Sequence, residues 1–298
     1  MNQEEREKWL MAGKIASEMV DYAKKITKKG EKILDIVEKI ESRILEKNAQ
    51  CSFPVNIGIN EKAAHFTPLH NDTTVLGEDL VKVDIGVAID GYATDTAFTI
   101  DLTSYGKYAK IVRATNEALR EAIKLATPEQ EVRVIGKKVQ EVITSYGFSP
   151  IRNLSGHEIK PYQVHAGLAI PNYDSGNSAK LKEDMVIAIE PFATTGEGVV
   201  QDGKPGGDYK INEKKAVRDR NAREVLDYID KTYKSLPFAS RWIHKKFGLG
   251  GLLALQFLEQ QGVVHHYKEL VEVSKKPTTH FEDTVIVGKK PRVITKLL

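Results

Sequence analysis

The sequence predicts an α+β protein made of two related halves, with a helical subdomain inserted late in the chain. Three observations carry this. The hairpin "VKVDIGVAIDGYATDTAF" (81–98) sets its own register. A pattern of helix, helix and strand occurs twice, its helices displaced by 99 residues. The stretch 197–266 matches neither copy.

At 298 residues the chain is long enough for one large domain or two ordinary ones. No stretch approaches the ~20 apolar residues of a membrane span. The first thirty residues are charged and amphipathic, with no signal-peptide core. The single cysteine, Cys51, excludes an internal disulfide framework and fits a reducing compartment. A net charge of +3 is too mild to argue for nucleic acid.

Residues 31–45, "EKILDIVEKIESRIL", place Ile33, Ile36, Val37, Ile40 and Ile44 at helical spacing. Residues 130–144, "QEVRVIGKKVQEVIT", place Val132, Ile135, Val139 and Ile143 in the same way. The helix before each also matches: Trp9 with Tyr108, Glu18 with Glu117, Ala23 with Ala122, Ile26 with Leu125. Then "SFPVNI" (52–57) parallels "FSPIRN" (148–153), and "GEDLVKVDI" (77–85) parallels "KEDMVIAIE" (182–190). In the last pair the acids Asp84 and Glu190 are one place out of register. Two such halves pack about a pseudo-twofold axis and leave a site between them, fed by acids from both sheets.

The hairpin defines one wall of that site. Asp90-Gly91 is a two-residue turn of the type that demands positive φ. It pairs Ile89 with Tyr92, which sets Asp84 opposite Ala97 and Asp95 opposite Gly86. Facing residues share a side of the sheet, so Asp84 and Asp95 are diagonal neighbours, roughly 7–8 Å apart at Cα. Gly86, Ala88, Ala93 and Ala97 surround them, while Val81, Val83, Ile85, Val87, Phe98 and Ile100 form the opposite, core face. Carboxylates in a strand interior face either water or a cationic partner.

The inserted stretch opens with "GEGVVQDGKPGGDYK", read as a Gly- and Asp-rich loop, and continues with helices over 216–234, 239–247 and 250–261 broken at "SLP" and "GLGG". Three short helices and a strand-like "GVVHHY" give it a winged-helix-like outline. Its charge bias is weak, so a structural subdomain is expected rather than a nucleic-acid reader. Residues 1–196 with 267–298 then form the main domain and 197–266 the insertion.

Further candidate ligands follow. Glu190 ends "MVIAIE", Glu282 sits in "HFEDTVIV" (280–287), and His157 lies in "LSGHEI" after a turn-permitting Gly156. Two Asp, one His and two Glu make an oxygen-rich set with one nitrogen, suited to two hard or borderline divalent ions. Two-metal hydrolytic sites hold their ions roughly 3.5–4 Å apart, a span diagonal aspartates can bridge.

The motifs "AAHFTP" (63–68), the Asp84/Asp95 hairpin, "GHEI" (156–159), "VHAG" (164–167), "AIEPFATTGEG" (188–198) and "FEDTVIV" (281–287) occur in the order seen in methionine aminopeptidases, and the chain resembles that family over its whole length. The resemblance implies the pita-bread fold. The insertion, with "LPFASRW" (236–242), is similar to the type II subfamily in its compact archaeal form. It implies that Asp84 chelates one metal, that Asp95 and Glu282 bridge both, and that His157 and Glu190 complete the second. His65 and His165 match two histidines that contact the substrate's peptide bond, and Phe53 and Val164 fall where that family lines its methionine pocket. Asp283 stands where many relatives have His, and is expected to point away from the metals.

The implied chemistry is metal-assisted amide hydrolysis with Glu190 as base, releasing the N-terminal methionine of nascent chains when the second residue is small. Cobalt, manganese, iron and zinc all accept this ligand set. A cytoplasmic location is expected, with no membrane or specific nucleic-acid partner and a possible transient ribosome contact; a monomer is expected, although the exposed insertion could also serve a dimer. An Xaa-Pro aminopeptidase or prolidase shares the fold and the ligands, but its expected N-terminal domain is absent. A non-enzymatic ribosome- or RNA-binding scaffold of this fold typically loses metal ligands, and here all five are present.

Overall fold

The computed structural model describes residues 1–213 and 215–296. Six helices are present among them: α1 (Gln3–Ile26), α2 (Ile33–Glu46), α3 (Ala109–Ile123), α4 (Val132–Ser145), α5 (Arg220–Thr232) and α6 (Ser240–Gln260). A capping box starts α1: Asn2 Oδ1 accepts from the Glu5 backbone N–H, and the Glu5 carboxylate accepts from the Asn2 backbone N–H, both at 2.9 Å. Helices α2 and α4 are the repeated pair, each of 14 residues and each burying the predicted apolar stripe. The first helices of the two halves differ. Trp9 lies well inside α1, whereas Tyr108 stands just before α3, because the strand Thr96–Asp101 and a short 3-10 turn occupy the residues ahead of it.

Each helix pair covers a sheet. The first sheet holds Asn56–Ile59, Leu80–Ile85 and Thr96–Asp101, with Leu80–Ile85 central. Its register pairs Asp84 with Ala97, and the hairpin tip pairs Ile89 with Tyr92. Asp90 and Gly91 both take positive φ, 49° and 84°, as the two-residue turn requires. Val81, Val83, Ile85, Val87 and Phe98 are buried in one core with α1 and α2. The second sheet runs Ala169–Pro171, Ser155–Ile159, Val186–Ile189, Asp283–Ile286, Arg292–Val293, and its core takes the buried faces of α3 and α4.

The stretch read as a Gly- and Asp-rich loop is a strand, Val200–Ile211. It pairs with Val264–Glu272, which continues the sheet to Lys62–Ala64 of the first half. Its residues look loop-forming for a local reason. The ladder shifts register on both sides of Pro205, so the missing N–H falls at an irregularity, where proline is tolerated in a sheet. Gly206 and Gly207 let this strand pass close to another chain segment. A Cβ on Gly207 would lie 2.7 Å from Thr67 Cγ2, and one on Gly206 2.9 Å from the His65 carbonyl oxygen.

The inserted helices have a core of their own, including Val225, Ile229, Phe238, Ile243, Leu255 and Leu258. Helix α6 is two helices joined at Gly248, whose φ of 61° and ψ of −151° break it inside "GLGG". The insertion is clamped to α2. The buried Glu41 receives the Arg241 guanidinium, and the Trp242 indole N–H donates to Glu41 at 2.8 Å. Among the described residues no helix is long and apolar enough to cross a membrane.

Candidate metal centre

Strand register alone brings the acids together. Asp84 faces Ala97, and Ala97 forms an antiparallel bridge with Glu282 from the other half. Residues opposite one another share a face, so Asp84, Ala97 and Glu282 form one row, with Asp95 two residues from Ala97 on that face. The second half makes an equivalent row: Ala188 lies between His157 and Thr284, with Glu190 two residues beyond Ala188. Ile189 pairs with Asp283 and Phe192 with His280, a single register that sets Glu190 opposite Glu282. The halves are also stitched at Asp95, whose backbone N–H donates to Thr284 Oγ1 at 2.8 Å while that hydroxyl donates to the Asp95 carbonyl at 2.7 Å. Each row carries a buried alanine at its middle, Ala97 in one and Ala188 in the other.

The side chains converge. His157 Nε2 is 3.5 Å from Asp95 Oδ2 and 3.4 Å from Glu190 Oε1. Asp95, His157 and Glu282 each offer an atom within 4.8 Å of the others, and so do Asp84, His280 and Glu282. Burial, and then the negative charge of Asp95, push the Asp84, Glu190 and Glu282 carboxyls well above the usual carboxylate range. Burial acts the same way on Asp95, but the hydrogen bond and charge of His157, with His165 beyond it, outweigh it and hold Asp95 below that range. Asp84 Oδ1, Asp95 Oδ1, Glu282 Oε1, His157 Nδ1 and His280 Nε2 are buried with no hydrogen-bond partner among the described residues. Buried polar atoms are ordinarily paired. Crowded acids with orphaned oxygens, and the Nε2 atoms of His157 and His280 set against them, are what divalent cations would satisfy, so the residues fit a metal centre.

All nine residues singled out from the sequence line one cavity: Phe53, His65, Asp84, Asp95, His157, Val164, His165, Glu190 and Glu282. His65 and His165 both lie below the usual imidazole range. Burial and the neighbouring His265 lower His65 to about 4, and burial and His157 lower His165 to about 3. The His165 ring lies 4.2 Å from that of His157, and His65 packs edge-on against Tyr267 at 5.1 Å. Phe53 also explains Gly86, where a Cβ would lie 2.4 Å from the Phe53 ring. Asp283 points away, accepting from Thr295 Oγ1 at 2.9 Å and pairing with Lys296 at 2.5 Å.

Sequence reasoning missed His280, Asp208, Asn56, Pro237 and Tyr267, which line the same cavity. Asp208 is buried, and that burial raises it to about 8 against the pull of Arg241. It was hidden in the run "PGGDYK", which reads as a turn. His280 carried one usable signal, its place two residues before Glu282 at the start of an apolar strand.

Residues 7–289 match metallopeptidase family M24. A methionine aminopeptidase from Thermococcus onnurineus is 44% identical over 98% of this chain and 99% of its own length. Among solved structures, a thermophilic Arx1 superposes with a TM-score of 0.89 at 17% identity, covering 100% of this chain and 92% of that one. The methionine aminopeptidase of Thermotoga maritima superposes with a TM-score of 0.73 at 21% identity, covering 100% and 98%. These two likenesses concern the fold, which is the pita-bread fold. The sequence match and the acid-lined cavity lead to one assignment: the chain belongs to metallopeptidase family M24, in the branch of metal-dependent aminopeptidases that the archaeal methionine aminopeptidases represent.

Proposed function

We propose that the chain removes the N-terminal methionine of newly made polypeptides in the cytoplasm when the second residue is small, and that it does so with two divalent cations. The carrying observation is the pair of three-ligand groups that share Glu282. The similarity to methionine aminopeptidases supports the substrate. Asp84 would hold one cation, His157 and Glu190 the other, and Asp95 and Glu282 both. Two bound cations supply Lewis acidity and bring the pKa of water down towards neutrality.

The chain's own groups do the rest. Glu190, half-buried at the cavity wall, takes the proton of the attacking water and passes it to the leaving amine. His165 donates to the scissile carbonyl oxygen, where negative charge grows. His65 engages the amide nitrogen of the second residue. Phe53, Val164, Pro237 and Tyr267 give the cavity apolar surface for an unbranched thioether side chain. The helical insertion contributes Pro237 to this wall, which supports a role in shaping the cleft over nucleic-acid binding.

The test is release of free methionine from Met-Ala-Ser with cobalt, manganese, iron or zinc supplied in turn, beside Met-Leu-Ser and an Xaa-Pro dipeptide. Fast release from Met-Ala-Ser, with little from the other two, is expected. Preferential Xaa-Pro cleavage would make the chain a prolidase of the same fold, and no cleavage with any metal would remove it from the enzymes.

A further inference from the structure

The five-residue ligand set above contains one imidazole. The cavity contains a second, aimed at the same carboxylates. His280 is 2% exposed and ends the strand Thr278–His280, where it pairs with Phe192. Its backbone is fixed: the N–H donates to Thr99 Oγ1 at 2.9 Å, and the Thr99 hydroxyl donates back to its carbonyl at 2.7 Å. Its ring is fixed too, lying flat on Phe192 with centroids 3.9 Å apart and planes 13° from parallel. This leaves little choice of direction for Nε2.

That nitrogen points into the acids. It is 3.2 Å from Glu282 Oε2 and 3.6 Å from Glu190 Oε2, yet it makes no hydrogen bond of ordinary geometry. A lone pair held against carboxylate oxygens is repulsive, and a poorly aimed N–H wastes a buried donor. A cation between them resolves both problems. Asp84, His280 and Glu282 each place one ligating atom within 4.8 Å of the others, the same criterion met by Asp95, His157 and Glu282. Each group thus joins one Asp of the first half and one His of the second to the shared Glu282.

We infer that His280 is a sixth metal ligand, giving the cation held by Asp84 an imidazole of its own. The inference rests on the dinuclear reading proposed above. It predicts a centre with one imidazole per ion, which favours nitrogen-accepting borderline ions such as cobalt and zinc over manganese at the Asp84 position.

The test is X-ray absorption at the cobalt edge on the full chain loaded with Co²⁺, combined with Co²⁺ titration followed by calorimetry. Two Co²⁺ per chain and an average of one imidazole per cobalt are expected. His280→Phe, which keeps an aromatic ring against Phe192, should halve the imidazole count and weaken one of the two sites by at least about tenfold, leaving the other near wild type. His280→Gln, which offers an oxygen, should recover part of that affinity without recovering the imidazole signal. A wild-type average of one imidazole per two cobalts would overturn the inference without recourse to any variant. So would His280→Phe binding two Co²⁺ at wild-type affinity. Asp95→Asn separates the two readings: if it loses Co²⁺ while His280→Phe does not, the dinuclear centre stands and only the role of His280 falls. If the wild type binds no Co²⁺, both fall.

Discussion

Ala97 and Glu282 pair across the two halves of the protein, the Ala97 N–H donating to the Glu282 carbonyl at 3.2 Å and the Glu282 N–H returning to Ala97 at 3.0 Å. This bridge places Glu282 beside Asp84 with only a methyl group between them. The site is therefore as precise as the docking of the two halves.

Ala97→Leu tests that docking. The larger side chain has no free space in the row, so overpacking is expected to cost about 1–3 kcal/mol. It should also cost on the order of 10²-fold in rate through displaced ligands. Thermal melts and kcat measured together check this. A stable variant with full activity would show that the row is looser than its register implies.

Asp95→Asn is expected to abolish activity and weaken metal binding at both positions, since a neutral amide is a poor bridge. Asp101→Asn is the control. Its carboxylate accepts from the Thr103 N–H at 2.9 Å and the Tyr108 N–H at 2.6 Å, ordering the approach to α3 away from the cavity. That variant should lose about 0.5–1 kcal/mol of stability and keep most activity. Equal activity losses in the two variants would contradict the assignment.

Much of this was readable in advance because the informative signals were local. Asp90-Gly91 fixed the hairpin register, and that register put Asp84 and Asp95 on one face. The stripes of α2 and α4 followed from helical spacing. What escaped depended on contacts distant in sequence. Val200–Ile211 looked like a loop because its glycines serve a close approach to His65 and Thr67, which no local pattern reveals. His280 stood only two residues before Glu282, but its ring is turned to the acids by stacking on Phe192, which is distant in sequence. Asp208 needed the insertion folded over the cavity before it counted as buried.

Metal binding should strengthen as pH rises. The Asp84, Glu190 and Glu282 carboxyls lie above their unfolded values, so above the ordinary carboxylate range the metal-free native chain holds more protons than the unfolded chain. Through these groups, stability without metal falls with rising pH, and a cation must displace the protons they retain. The rise in Tm on adding a fixed Co²⁺ concentration is expected to be larger at pH 7.5 than at pH 6, with protons released on binding. A pH-independent increment would mean that the acids are already ionised.

Glu190→Gln keeps the shape and one ligating oxygen but cannot accept a proton. With metal saturating, kcat should fall by about 10²–10⁴-fold. KM should change far less, because His65, His165 and the apolar wall remain. Recovery of the full rate at saturating metal would make Glu190 a ligand only.

The central claim is that this cavity needs two cations to release N-terminal methionine. Chelator-treated full-length protein can be titrated with Co²⁺ while bound metal and free methionine from Met-Ala-Ser are followed in the same samples. The account predicts no release without metal, a rate that rises with loading, and saturation by two bound ions per chain. Methionine release at full rate from the chelated protein, or none at any loading, would contradict it.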